Sequence, residues 1–102
     1  MARPRVELQT ILETILGSRN VYFQPPESLK LKFPCIVYEL SGMHNNHADN
    51  LKYSFLKQYT VTYIDEDPDS DIPDKLLMID KCSFNRAFPS DNLNHWSFTI
   101  YF

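Results

Sequence analysis

Residues 82–102 read Cys82-Ser-Phe-Asn-Arg-Ala-Phe-Pro-Ser-Asp-Asn-Leu-Asn-His-Trp-Ser-Phe-Thr-Ile-Tyr-Phe102. In the second half Trp96, Phe98, Ile100 and Phe102 fall at every other position, with His95, Ser97, Thr99 and Tyr101 between them. A period of two sends one set to each face of a strand. The first half alternates Cys82, Phe84, Arg86 and Phe88 with Ser83, Asn85 and Ala87, and Pro89-Ser-Asp-Asn92 supplies a turn. Two alternating runs joined by a short turn predict an antiparallel hairpin.

The same logic extends backwards. From Tyr53 to Ile64, the residues Tyr59, Val61 and Tyr63 alternate with Gln58, Thr60 and Thr62, which predicts a long half-buried strand. Asp65 to Asp71 is an acidic turn, and Ile72 to Ile79 predicts a short helix with Asp71 and Asp74 as an N-cap pair and Pro73 in its first turn. Cys35 to Leu40 is β-branched and aromatic and predicts a strand ending at Ser41-Gly42. Met43 to Asn50 is polar and without period, so it is expected as an exposed loop making an excursion from the body. Val21 to Phe23 fits a short strand, and Gln24-Pro25-Pro26-Glu27-Ser28 must turn or extend because its prolines donate no backbone hydrogen bonds. Leu8, Ile11, Leu12, Ile15 and Leu16 form one helical stripe from Arg5 to Leu16, stopped by Gly17. The order is α-β-β-β-α-β-β in a single domain spanning residues 1–102. The expected class is α+β, a mainly antiparallel sheet with two helices on one face, leaving the other face free to meet a neighbour.

Composition narrows the function. The 102 residues are 43% hydrophobic and 14% aromatic, enough to fold around one core. Two glycines rule out a glycine-rich nucleotide loop, and a net charge of -3 disfavours general attraction to nucleic acid. Lys30, Lys32, Lys52 and Lys57 give at most a local basic face. Cys35 and Cys82 lie in separate apolar runs, without the CxxC spacing of a redox motif, and are expected to be reduced and buried. Arg3 and Arg5 precede a helix interrupted by Glu7, Gln9 and Glu13 rather than a signal-peptide core, and no run approaches a membrane span. A cytoplasmic site of assembly is the simplest expectation.

Chemical constellations are weak. Asp65, Asp67, Asp69 and Asp71 alternate like the start of a calcium loop, but Ser70 stands at the glycine position and Leu76 at the bidentate glutamate. His44 and His47 with Cys35 or Asp49 sketch a zinc site lacking a second paired half. Ser90, Asp91 and His95 have the residue types of a hydrolase triad, crowded into one short segment without a nucleophile elbow. Tyr53, Phe55, Tyr59 and Tyr63 beside Lys52 and Lys57 are of a type that stacks on bases, and core packing explains them better. No enzyme active site, metal or cofactor is expected.

Several runs resemble those of small neck and tail-completion proteins of long-tailed bacteriophages. These are Val21-Tyr-Phe-Gln-Pro-Pro, Phe33-Pro-Cys-Ile-Val-Tyr-Glu, Tyr59-Thr-Val-Thr-Tyr-Ile-Asp-Glu-Asp-Pro-Asp-Ser-Asp-Ile-Pro, Cys82-Ser-Phe and Asp91-Asn-Leu-Asn-His. The likeness spans nearly the whole chain, and the element order is similar to that of tail terminators, also called tail-to-head joining proteins. The resemblance implies a structural virion protein that forms a ring, typically of six subunits, on the end of the tail tube. Such a ring docks to the head connector, and DNA passes through without sequence-specific binding. A head-closure or adaptor protein of the same neck, and a small phage regulatory or inhibitory protein, are the alternatives. The expected contact residues are Gln24, Pro25, Pro26, Glu27, Lys30 and Lys32, with Met43, His44, Asn45, Asn46, His47 and Asp49. Asp65, Glu66, Asp67, Asp69 and Asp71 are expected to face the channel.

Overall fold

The computed structural model describes residues 4–48 and 52–102. The order is α1 (Arg5–Leu16), β1 (Val21–Phe23), β2 (Cys35–Ala48), β3 (Lys52–Asp65), α2 (Ile72–Leu77), β4 (Cys82–Ser90) and β5 (Leu93–Tyr101). These strands form one five-stranded sheet in the order β1-β2-β3-β5-β4. Only β1 runs parallel to its neighbour β2; the other pairings are antiparallel. The fold is therefore α+β, with the expected order of elements.

Register explains the core. Ile36 pairs with Tyr63, Tyr38 with Val61 and Leu40 with Tyr59; on the far side of β3, Val61 pairs with Phe98 and Tyr59 with Ile100. These residues share one face because alternate side chains of a strand point the same way. Leu8 and Leu12 of α1 and Leu76 of α2 join Ile36, Tyr38, Val61, Phe98 and Ile100 in one buried cluster. Both helices thus cover the same side of the sheet. The stripe on α1 works as its spacing predicts, and Gly17 closes the helix at φ +78° with its N–H donating to the Glu13 carbonyl at 2.8 Å. Gln9 pins the helix to the sheet by donating to the Val21 carbonyl at 3.0 Å and accepting from the Tyr38 hydroxyl.

Three expectations are corrected. The polar segment from Met43 is not a loop: β2 continues to Ala48 and pairs with β3 as far as Ala48↔Lys52. Hydrophobic periodicity reports burial, whereas this ladder is held by backbone hydrogen bonds, which a polar sequence makes equally well. Asp49 and Asn50 lie outside the described residues. At α2, the Asp71 side chain makes no capping hydrogen bond. Instead Ser70 Oγ accepts from the Ile72 N–H at 3.3 Å, while Asp71 forms an exposed pair with Lys75 at 3.6 Å. In β4 the single alternation is broken by a bulge: Phe84 pairs with Phe98, but Arg86 pairs with Ser97. One extra residue reverses every later side chain, so Arg86 and Phe88 lie on the face opposite Phe84.

Candidate assembly surfaces

Strand β3 sets the long axis. It runs from Lys52 at one end to Asp65 at the other, and at about 3.3 Å per residue this covers about 43 Å of a molecule 50 Å long. Its neighbour β5 pairs only from Asp65 to Gln58, and β1 pairs with β2 only as far as Tyr38. Beyond these points β2 and β3 continue from Met43↔Lys57 to Ala48↔Lys52 as a two-stranded arm, with the Phe102 N–H reaching the Lys57 carbonyl at 2.9 Å at its base. A bulge between Leu40 and Gly42 marks its base. Among the described residues no third strand pairs with the arm.

One of the expected contact segments begins at this base. Gln24 follows β1 with its N–H donating to the Tyr38 carbonyl at 2.9 Å, and its Oε1 accepts from the Leu40 N–H at 3.2 Å. The side chain thereby extends the short β1 pairing by one step toward the arm. Beyond it the proline loop is exposed from Pro26 to Lys30, with Leu29 43% and Phe33 41% exposed. It crosses on the uncovered side of the sheet, since the Lys32 N–H lies 3.5 Å from the Tyr22 hydroxyl. Met43 is exposed at the start of the arm; the side chains of His44, Asn45, Asn46 and His47, and all of Asp49, lie outside the described residues.

The sheet face opposite the helices carries Val37, Glu39, Thr60, Thr62, Ser97 and Thr99. A shallow hollow of about 200 Å³ opens there, lined by Gln24, Pro25, Val37, Glu39, Thr60 and Thr62. The β4 bulge adds an aromatic group to this face: Phe88 stacks on His95 at 4.9 Å between centroids, and the Arg86 guanidinium lies 4.6 Å over the Phe88 ring. Sequence reading misses this group, because an unbroken alternation assigns Arg86 and Phe88 to the core side with Phe84.

The acidic turn occupies the end opposite the arm and is firmly built. Asp65 accepts from the Tyr63 hydroxyl at 2.5 Å with one oxygen and from the Asp67 N–H at 3.1 Å with the other. Asp67 in turn accepts from the Asp69 N–H at 2.9 Å. Asn94 of β5 donates to the Glu66 carbonyl at 3.2 Å and holds the turn against the sheet. Burial first, and then the Asp65 hydrogen bond, push the Tyr63 phenol well above its ordinary range. The side chains of Glu66, Asp67 and Asp69 point to solvent. Next to the turn is a cleft of about 270 Å³ lined by Pro68, Ala87, Phe88, Pro89, Asn94, His95 and Trp96.

The residues of the catalytic sketches are occupied elsewhere, while the His44, His47 and Asp49 side chains of the zinc sketch lie outside the described residues. Burial pushes the Cys35 and Cys82 thiols up to about 11, so neither is a ready nucleophile near neutrality. Ser90 pairs with Leu93 at the end of the β4–β5 hairpin, whose Asp91 and Asn92 both have positive φ, while His95 is stacked on Phe88. Tyr59 and Tyr63 are buried in the core rather than open to a base. Among the described residues no group of three or more His, Cys, Asp or Glu side chains is placed to hold a metal ion, and no helix is long and apolar enough to cross a membrane. No family model and no curated protein matches the chain.

Proposed function

We propose that this chain is a structural subunit of the neck of a long-tailed bacteriophage. It is a tail terminator that closes into a ring on the tail tube, joins it to the head connector and leaves a passage for DNA. The observation that carries this reading is the arm. A lone two-stranded ribbon is marginal in water, and its unpaired edges invite further pairing, so an arm of this length has its use in contact with a neighbour. The face without helices offers a second contact area, and the acidic turn lies at the far end from the arm. A net charge of -3 on each subunit gives the ring no general grip on a phosphate backbone. The subunit has no chemistry of its own; it is assembled in the host cytoplasm and remains in the virion.

Tail tubes of the parent phage, incubated with the purified chain and imaged by negative-stain electron microscopy, test this. A ring on one tube end is the expected result. Binding to portal-containing heads but not to tubes identifies a head-closure protein instead. A monomer that ignores both and captures a host enzyme identifies a regulatory protein.

A further inference from the structure

The proline loop and the acid-rimmed cleft sit on opposite lateral edges of the same sheet. The loop belongs to the β1–β2 edge, whereas the cleft is built on β5 and β4; with strands about 4.8 Å apart, the full sheet separates them by about 19 Å. Their surfaces are complementary. The loop presents Lys30 and Lys32 together with the half-exposed apolar groups Leu29 and Phe33. The cleft presents the rings of Pro68, Phe88, Pro89 and Trp96, and beside it stand the exposed carboxylates of Glu66, Asp67 and Asp69. Apolar groups thus face apolar groups, and two cations face three anions. Glu27 on the loop and Arg86 on the cleft side are the opposing charges, one on each surface.

We propose that the occupant of the cleft is a second copy of this chain, which inserts its loop around Leu29 to Phe33 with Lys30 and Lys32 against the acidic turn. The inference rests on the ring reading and specifies its contact. Loop and cleft are different patches, so the interface is heterologous, and repeating it head to tail closes a ring when the rotation allows. It consumes the acidic turn at the subunit boundary, on the side of the turn facing β4 and β5. Long-range attraction between the two patches makes association depend on salt.

The experiment uses the full chain and two charge reversals. One variant carries Lys30→Glu and Lys32→Glu; the other carries Glu66→Lys and Asp69→Lys, side chains that make none of the turn's hydrogen bonds. Circular dichroism establishes that each is folded, sedimentation velocity reads the mass, and Trp96, the single tryptophan, reports from the cleft itself. Each variant alone meets like charge at every contact and is expected to associate about a hundredfold or more weakly than the parent chain. Mixed in equal amounts, an acidic loop meets a basic cleft and a basic loop meets an acidic cleft. The mixture is expected to regain rings and the Trp96 emission of the parent. Reversals that leave rings intact, or a mixture that stays apart although the parent chain forms rings, overturn this contact while leaving the ring reading in place. A parent chain that never assembles, alone or on tubes, overturns both.

Discussion

Tyr63→Phe removes one oxygen atom from the point where the acidic turn is fastened to the sheet. That oxygen donates to Asp65 at 2.5 Å and lies 3.0 Å from Ser70 Oγ, in a side chain only 1% exposed. A hydrogen bond to a charged partner contributes about 1.5–3 kcal/mol. The lower half of that range applies, because Asp65 is half-exposed and recovers water as a donor, and Ser70 keeps its bond to the Ile72 N–H. The ring itself stays buried against Trp96, at 5.3 Å between centroids, so little packing is lost. The expected loss is about 1.5–2 kcal/mol, or about 6–12 °C in Tm for a domain of this size. Urea titration followed by circular dichroism measures it. A loss below about 0.5 kcal/mol would show that the hydroxyl does not anchor the turn, and one above about 4 kcal/mol would mean that the core had rearranged, since a single hydroxyl cannot account for so much.

Gly17→Ala forces a side chain into φ +78° with nothing within 4 Å to clash, so only backbone strain opposes it; about 1 kcal/mol of lost stability is expected by the same titration. Stability should fall at alkaline pH. Below pH 9.0 the Cys35 and Cys82 thiols are protonated in both folded and unfolded chains, whereas between 9.0 and about 11 the unfolded chain loses protons that the folded one keeps. Each thiol therefore removes about 1.4 kcal/mol per pH unit across that window, and a flat urea midpoint from pH 8 to 10.5 would contradict its burial. Replacing residues 44–56 by Asn-Gly, which joins the paired Met43 and Lys57 through a two-residue turn, should change monomer stability by less than about 1 kcal/mol while abolishing association with tubes.

The parts of the fold legible in the sequence are those where burial and backbone period coincide. Tyr59, Val61 and Tyr63, or Trp96, Phe98 and Ile100, alternate because one face is covered by helices. The stripe from Leu8 to Leu16 is equally plain. The arm is hidden because the polar run from Met43 to Ala48 carries no apolar rhythm, although its backbone pairing is regular. The β4 bulge is hidden for the opposite reason. Cys82, Phe84, Arg86 and Phe88 keep a period of two straight through the inserted residue, and only the partners on β5 reveal that the face has changed. Asp71 and Ser70 are both good caps, and the hydrogen bond alone decides between them. For the candidate surfaces, the segments at Gln24–Lys32 and at the arm were visible as polar or proline-rich runs. The hydrogen bond that ties Gln24 to Leu40 just before the arm was not, being a contact across 16 residues of chain. The cleft beside the acidic turn joins side chains from three separated stretches and leaves no local pattern.

The central claim is that the chain completes itself by assembling. The most direct test is the solution mass by multi-angle light scattering, over a range of concentration and again with tail tubes present. A ring of about six copies, about 72 kDa for a 12.0 kDa chain, is expected in free solution or on the tube end. A 12.0 kDa monomer at every concentration, indifferent to tubes, would contradict it.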